Sequence, residues 1–355
     1  MTPRALPPNA PQPGSRLLDS VLPIAGAPMA GGPTTVALAR AVAGAGGFPF
    51  LAGGYRTPQA LAAEIDEMRS SGARFGVNLF VPARDRPDPS AFAAYAAELA
   101  PEAARYGLEL NPVPVEDDDH WPAKIALLVQ RPVPVVSLTF GLPDVSDIAA
   151  LTDVGTRVLA SVTSVGEARA ARDVGVDGLV VQGTGAGGHS ATHDPARRPA
   201  PIPLDDLVRQ VIAEVGLPVV ATGGVDGPDA VRRLLAAGAE SVAVGTLLML
   251  TDEAGTTPVH RAALADVSDQ VGVFPETVVT RAFTGRPARA LRTSFVDRHG
   301  EKAPVAYPGV HHLTRALRQA AARAGEARNV HLWAGTGYRN ALTGPAADVV
   351  RRLST

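Results

Sequence analysis

Along the first 250 residues, short and continuously apolar runs alternate with amphipathic stretches. The runs VLPIAG, GFPFLAG, ARFGVNLF, VPVVSLTF, TRVLASV, DGLVVQG, LPVVATGG and SVAVGT all fall between Val21 and Thr246. A strand that faces solvent on one side alternates apolar with polar residues, whereas a strand covered on both faces reads as an unbroken apolar run. The pattern therefore predicts buried parallel strands. Between them a helical period recurs, closed by a glycine. One copy runs from Thr34 through AGAGGFPFLAGG, another is GEARAARDVGVDGLVVQG, and a third is GPDAVRRLLAAGAESVAVGT. In the third, Pro228 suits a first helical turn and Gly238 a helix stop. Eight strand–helix units are the number that closes a (β/α)8 TIM barrel, and an open doubly wound sheet is the alternative. The expected fold class is thus α/β.

The pattern changes after Met249. Residues from about Thr251 to Arg323 show helical periodicity without buried-strand runs, in segments such as ALADVSDQVG and GVHHLTRALRQAAARAG. The expected layout is a flexible arm over residues 1–20, a barrel over 21–250, an added helical subdomain over 251–328 and a C-terminal segment, 329–355, that returns to the barrel. Between Pro82 and Pro134 the chain reads as irregular. Its acidic run from Glu116 to Asp119, beside His120, reads as a solvated loop rather than a metal site and is given no role.

At 355 residues with 46% hydrophobic positions, the chain can bury a large core. The formal charge of -2 is evenly spread, which argues against a nucleic-acid partner. There is no cysteine, which excludes disulfides, a thiolate nucleophile and cysteine-held metal centres, so the chemistry points toward a bound organic cofactor. The Pro-rich start has no apolar signal core, and no run reaches the length of a membrane span. A cytoplasmic protein is expected, and an oligomer is compatible with the sequence.

Candidate chemistry concentrates in VVQGTGAGGHS, where an apolar run stops at Gln182 and opens into glycines that end at His189. The glycines match the G-x-G-x-x-G spacing of a dinucleotide loop, but the prolines that follow forbid the helix such a loop requires. In a barrel of this kind the loops after strands seven and eight commonly hold phosphate. Gly223 and Gly224 in the first of these loops, with Gly245 and Thr246 in the second, form a candidate phosphate cradle. Ala27, Pro28 and Met29, Asn78, Thr139 and Gln182 lie at other strand ends. An amide side chain both donates and accepts, which suits the edge of a flavin ring. FMN is therefore the expected cofactor, with His189 near a substrate above the ring. His189 and His193 have the spacing of a helical metal pair, but the surrounding glycines and prolines argue against that helix, so no metal is expected.

These residues carry a resemblance. The series GAPMAGGPTTVALARAVAGAGGF, FGVNLFVP, SLTFGLP, VVQGTGAGGHS, VVATGGVDG, VAVGT and LWAGTG, in this order from about Ile24 to Gly337, resembles the FMN-dependent nitronate monooxygenases, formerly called 2-nitropropane dioxygenases, and most closely their bacterial class I members. The resemblance implies an FMN-containing TIM barrel with a helical substrate domain. It implies oxidation of alkyl nitronates, such as propionate 3-nitronate, by flavin and O2 to a carbonyl compound and nitrite. By the same resemblance Met29, Asn78, Gln182, Gly187, Gly188, Gly223, Gly224, Gly245 and Thr246 contact FMN, and His189 is the active-site histidine. A nitronate needs no base; a neutral nitroalkane needs one, and His189 is the candidate.

Four positions depart from that family's pattern. Thr139 stands where a histidine is usual. His311 and Arg315 stand for a tyrosine and a lysine in YPGVHHLTR, with Tyr307 retained, and Thr336 stands for a glutamine in LWAGTG. Thr139, Tyr307, His311 and Arg315 are the expected substrate-side residues, with Thr336 on the same side. Tyr307 and His311, four apart, are expected to share a helix face, and Arg315 offers a forked cation. The alternatives are a FabK-like enoyl-thioester reductase that takes hydride from NAD(P)H, and a flavin-free barrel that binds a phosphorylated ligand.

Overall fold

The computed structural model describes residues 16–83, 86–265 and 274–355. The barrel opens with β1 (Ile24–Gly26), β2 (Phe48–Ala52), β3 (Gly76–Phe80), β4 (Val135–Thr139), β5 (Arg157–Val162) and β6 (Gly178–Gln182). A two-residue strand, β7 (Gly188–His189), stands outside it. The barrel then continues through β8 (Val219–Thr222) and β9 (Ser241–Val244). All neighbouring barrel strands are parallel, and β9 pairs back onto β1 through Ile24↔Val242 and Ala25↔Ala243. That closure excludes the open sheet. Each barrel strand falls within one of the eight apolar runs, because both faces of every strand are covered.

The helices begin and end where local chemistry allows. Thr35 caps Val36–Gly44, its hydroxyl accepting from Leu38 N at 2.9 Å. Pro228 opens Pro228–Ala236, and Gly238 follows its end with φ +104°. Inside the barrel, Phe48, Phe50, Val135, Leu159 and Val220 pack together with Leu17 and Leu18. Arg157 Nη1 donates to the carbonyls of Arg16 and Leu17 at 2.7 and 2.8 Å, and Leu17 N donates to Glu240 at 2.9 Å. Residues 16–20, assigned to a loose arm by sequence, thus close the barrel base. Burying each leucine contributes about 1.5–3 kcal/mol. Residues 1–15 lie outside the described residues.

Two segments differ from expectation. The stretch between Pro82 and Pro134 contains the helices Pro89–Ala104 and Trp121–Gln130. The signal was present in the alanine-rich AFAAYAAELA, where helix propensity outweighs the flanking prolines. Within 251–328, alongside the helices Pro258–Ala265, Ser294–His299 and Gly309–Arg323, lie β10 (Thr277–Thr280) and β11 (Ala288–Leu291). They form an antiparallel sheet in the order β10-β11-β7. Such short strands leave little periodicity, and the partner on one side is a loop distant in sequence. From residue 266 on, the ALADVSDQVG segment lies outside the described residues. Phe92, Tyr95, Phe283, Phe295 and Leu317 form a separate core under this cap. The last helix, Ala346–Leu353, packs back onto Val36–Gly44 and joins the outer core of the barrel.

Candidate active site

At the C-terminal mouth of the barrel, three turns with little or no side chain converge. They are Gly183–Gly188 after β6, Gly223–Gly224 after β8 and Gly245–Thr246 after β9. A Cβ on Gly223 would stand 2.7 Å from the Gly183 carbonyl oxygen, and one on Gly187 would stand 2.5 Å from Gly335 N. Only glycine permits these approaches, and Gly223 and Gly224 also adopt φ of +105° and +74°. The chain end completes the cluster, with Gly335 N donating to Thr246 Oγ1 at 3.0 Å and Thr336 N donating to Gly185 O at 2.9 Å. Thr336, expected on the substrate side, instead lies against Gly185 and Gly224. Its Oγ1 is 2.7 and 2.8 Å from the positions their Cβ atoms would take. Ala27 and Met29 lie beside Gly245, and they and Pro28 are partly exposed at the mouth.

The upper interior of the barrel is polar. Asn78, in the middle of β3 rather than after it, is buried and donates to Ser137 Oγ and Thr139 Oγ1, both at 2.9 Å. Thr139 Oγ1 is also 3.3 Å from Ser161 Oγ. Sequence reasoning missed Ser137 and Ser161, although each interrupts an apolar strand as a small polar residue. The Gln182 amide braces the loop: Nε2 donates to His189 O at 3.2 Å and Oε1 accepts from Ala191 N at 2.8 Å. Glu167 ties the far end of the loop to the barrel, accepting from Thr163 N at 2.6 Å, Thr192 Oγ1 at 2.9 Å and His193 N at 3.0 Å. Burial alone would raise its pKa, yet the His193 side chain and these donors hold the carboxyl below its usual range.

The loop delivers His189 to β7, where it pairs with Ala288 of β11. Its ring sits among aromatic rings, with centroids 5.4 Å from Phe140, 5.5 Å from Trp333, 5.6 Å from Tyr307 and 6.5 Å from Phe80. Nε2 is 3.0 Å from Thr284 Oγ1. Tyr307 donates to Tyr55 Oη at 3.3 Å, and Tyr55 stacks on His311 at 4.2 Å with an interplanar angle of 5°. Tyr307 and His311 are thus joined through Tyr55 and not along one helix face, because the helix begins only at Gly309. Arg315 is exposed to solvent. The cation behind His311 is Arg318, which donates to His311 O at 3.0 Å and to Thr314 Oγ1 at 3.0 Å.

A second buried cation, Arg286, places its guanidinium 4.1 Å from the Phe140 ring centroid and donates to Thr192 O. Its Nε has no hydrogen-bond partner among the described residues, and neither arginine makes an ion pair among them. Burial lowers both guanidinium pKa values to about 10, so both stay charged at neutral pH. Burial, then Arg286 and Arg318, pushes the His189 pKa down to about 3. The imidazole is therefore neutral. Burial raises the Tyr55 phenol to about 12 and holds Tyr307 well above its usual range, so both keep their protons.

Tyr55, Thr284, Arg286 and Arg318 carried no motif in the sequence, and Trp333, inside LWAGTG, was not singled out. Tyr55, at φ +65°, is held by its own backbone N–H donating to Asp119 Oδ1 at 2.9 Å. Asp119 in turn pairs at 2.7 Å with Lys124, which is 1% exposed. One member of the acidic run is thus an anchor, while residues 116–118 are exposed. His193 donates from Nε2 to Ser161 O at 3.0 Å, so His189 and His193 serve different partners, and the described residues contain no cluster able to hold a metal ion. Nor does any described helix have the length and apolarity to cross a membrane.

Comparison with known proteins agrees with this geometry. The family model described as nitronate monooxygenase matches residues 15–355. A probable nitronate monooxygenase of Staphylococcus aureus strain MSSA476 is 32% identical over 343 residues, covering 96% of this chain and 95% of the relative. A nitroalkane oxidase from Streptomyces ansochromogenes superposes with a TM-score of 0.87 at 45% identity, covering 94% of this chain and 95% of that one. FabK from Thermotoga maritima, at a TM-score of 0.72 and 24% identity over 95% of this chain and 93% of its own, shares the fold. With its apolar runs, its GGH loop and its chain end all in place, the chain belongs to the nitronate monooxygenase family.

Proposed function

We propose that the barrel mouth binds FMN and that the protein oxidises alkyl nitronates with O2 to a carbonyl compound and nitrite. One observation carries this reading. Three glycine turns and the Gly335–Thr336 backbone meet beside a ring cluster of His189, Phe140, Tyr307 and Trp333. The donor set fits a flavin phosphate. Backbone turns without Cβ atoms and the hydroxyls of Thr246 and Thr336 can surround an anion. On this reading Gly187, Gly188, Gly223, Gly224, Gly245 and Thr246 hold the phosphate side, and Ala27, Pro28, Met29, Asn78 and Gln182 border the ring. Bound FMN would supply the electron acceptor that is reoxidised by O2.

The residues around this cluster favour an anionic substrate. Arg286 and Arg318 are buried cations without a carboxylate partner among the described residues, and a negative charge on a substrate beside them would offset their desolvation. A nitronate brings that charge and arrives already deprotonated at carbon. A neutral nitroalkane must first lose its proton to His189, whose basicity burial and then the same arginines reduce. Tyr55, having accepted from Tyr307, keeps a proton to donate to the nitro oxygens. Thr139 and Tyr307 stand on the substrate side, and His311 acts from behind the Tyr55 ring.

The test is anaerobic mixing of the FMN-loaded protein with propionate 3-nitronate and, separately, with NADH or NADPH. Bleaching of the flavin by nitronate alone, with nitrite released once O2 is admitted, is expected. Rapid reduction by a nicotinamide with nitronate inert, or a protein that purifies without flavin, would refute the reading.

A further inference from the structure

Thr284 is 1% exposed, in the turn that leads into β11. Its hydroxyl oxygen is 3.0 Å from His189 Nε2 and 3.4 Å from the carbonyl oxygen of Arg286. A carbonyl oxygen can only accept, and a hydroxyl has one proton to give. If that proton goes to Arg286, Thr284 Oγ1 is left as an acceptor toward the imidazole, and Nε2 must carry the hydrogen. A neutral imidazole has a single N–H, so the lone pair resides on Nδ1. Among the described residues no group hydrogen-bonds Nδ1.

The rest of His189 is already constrained. Its backbone is paired to β11, Ser190 N donates to Pro287 O at 2.8 Å, and Gln182 holds its carbonyl. Phe140 and Trp333 limit rotation of the ring. What remains undetermined by packing is which nitrogen bears the proton. That is the choice the Thr284 hydroxyl makes.

We infer that Thr284 is a positioning residue that holds His189 in its Nε2–H tautomer and leaves Nδ1 as the proton-accepting nitrogen of the site. The role this implies in turnover rests on the nitro-compound oxidation proposed above. With a neutral nitroalkane, the C–H bond breaks, its proton passes to Nδ1 and its electron pair stays on the nitro compound as the nitronate. With a nitronate as substrate no such proton exists, and the tautomer has no step to serve. Thr284 therefore matters for one substrate form and not for the other.

The experiment is nitrogen NMR of the FMN-loaded protein carrying 15N-labelled histidine, with the His189 signals identified by their loss in His189→Asn. The Nε2–H pattern is expected in the native protein and in Thr284→Ser, and a mixture of tautomers in Thr284→Val. In turnover, Thr284→Val is expected to lower kcat for nitroethane about tenfold or more with KM little changed, while ethyl nitronate stays within about twofold. Thr284→Ser restores nitroethane turnover. An Nδ1–H pattern in the native protein, or equal losses with both substrates in Thr284→Val, overturns the inference. An Nε2–H pattern abolished by Thr284→Val, in a protein that oxidises neither compound, upholds the positioning role and refutes the proposed function.

Discussion

Arg286 and Phe140 form a buried cation–π pair, the guanidinium 4.1 Å from the ring centroid, and the same ring meets His189 edge to face at 5.4 Å. The cation sits behind the aromatic wall and acts through it on the imidazole. Arg286→Met keeps much of the side-chain volume but removes the charge and the donor to Thr192 O. Two effects are expected: the His189 pKa rises, and stability falls by about 1–3 kcal/mol because a buried carbonyl loses its partner. Histidine NMR titration and urea unfolding read the two separately. An unmoved His189 titration would show that burial alone sets its charge.

His189→Asn keeps a polar side chain but removes the basic nitrogen. Nitroethane turnover is expected to fall by about 10²–10⁴, the usual contribution of a general base, with a far smaller loss for ethyl nitronate. Parallel losses on both substrates would mean that the histidine chiefly binds.

Acid should unfold the protein steeply. His189 and His260 are held neutral in the fold, with burial as the largest cause, at pKa values of about 3 and about 4. Unfolded, each titrates near 6.5. Their contribution is present above pH 6.5, and it is lost as the pH falls toward 4 and then 3, because the unfolded chain binds protons that the fold refuses. Each such histidine adds a slope of about 1.4 kcal/mol per pH unit. His260→Gln, in which the amide can still donate to Trp333 O, should flatten the dependence measured by urea unfolding at pH 7, 6 and 5. A variant with the native slope would contradict the assignment.

Asp119→Asn can preserve the hydrogen bond from Tyr55 N while deleting the partner of Lys124. Lys124 would then be a buried ammonium sharing only the Gly53 carbonyl at 2.9 Å. A loss of about 2–4 kcal/mol is expected, moderated because burial already lowers the lysine pKa and eases its neutralisation. Chemical unfolding at pH 7 and pH 9 tests this. The loss should be smaller at pH 9, and a loss that grows with pH would count against it.

Gly187→Ala would place a methyl group 2.5 Å from Gly335 N and 2.9 Å from Thr246 Oγ1. The Ala334–Gly335 backbone cannot yield without separating the turns. The purified variant is expected to lose most of its flavin absorbance per protein. Full retention would mean that this turn takes no part in cofactor binding.

The barrel itself was open to reading because burial on both faces forces every strand into an apolar run, and the helices between them announce their ends with Pro228 and Gly238. The glycines of the converging turns were legible for a related reason: a turn that must do without a Cβ leaves glycine in the chain. The cap was read less well. β10 and β11 are too short to show a period, and the helix Pro89–Ala104 was obscured by the prolines around it.

The site divides along the same line. The chain by itself singled out candidate residues for chemistry, His189 and Tyr307 among them, and the turns that had to be bare. It could not say that Tyr55 bridges Tyr307 to His311, that Thr336 belongs with Gly185 and Gly224, or that Arg318 rather than Arg315 is buried. Periodicity and turn chemistry act between near neighbours and leave a record in the local sequence. The charge on His189, set by burial and by arginines 97 and 129 positions away, is a property of distances through space, and only the folded chain brings those groups together.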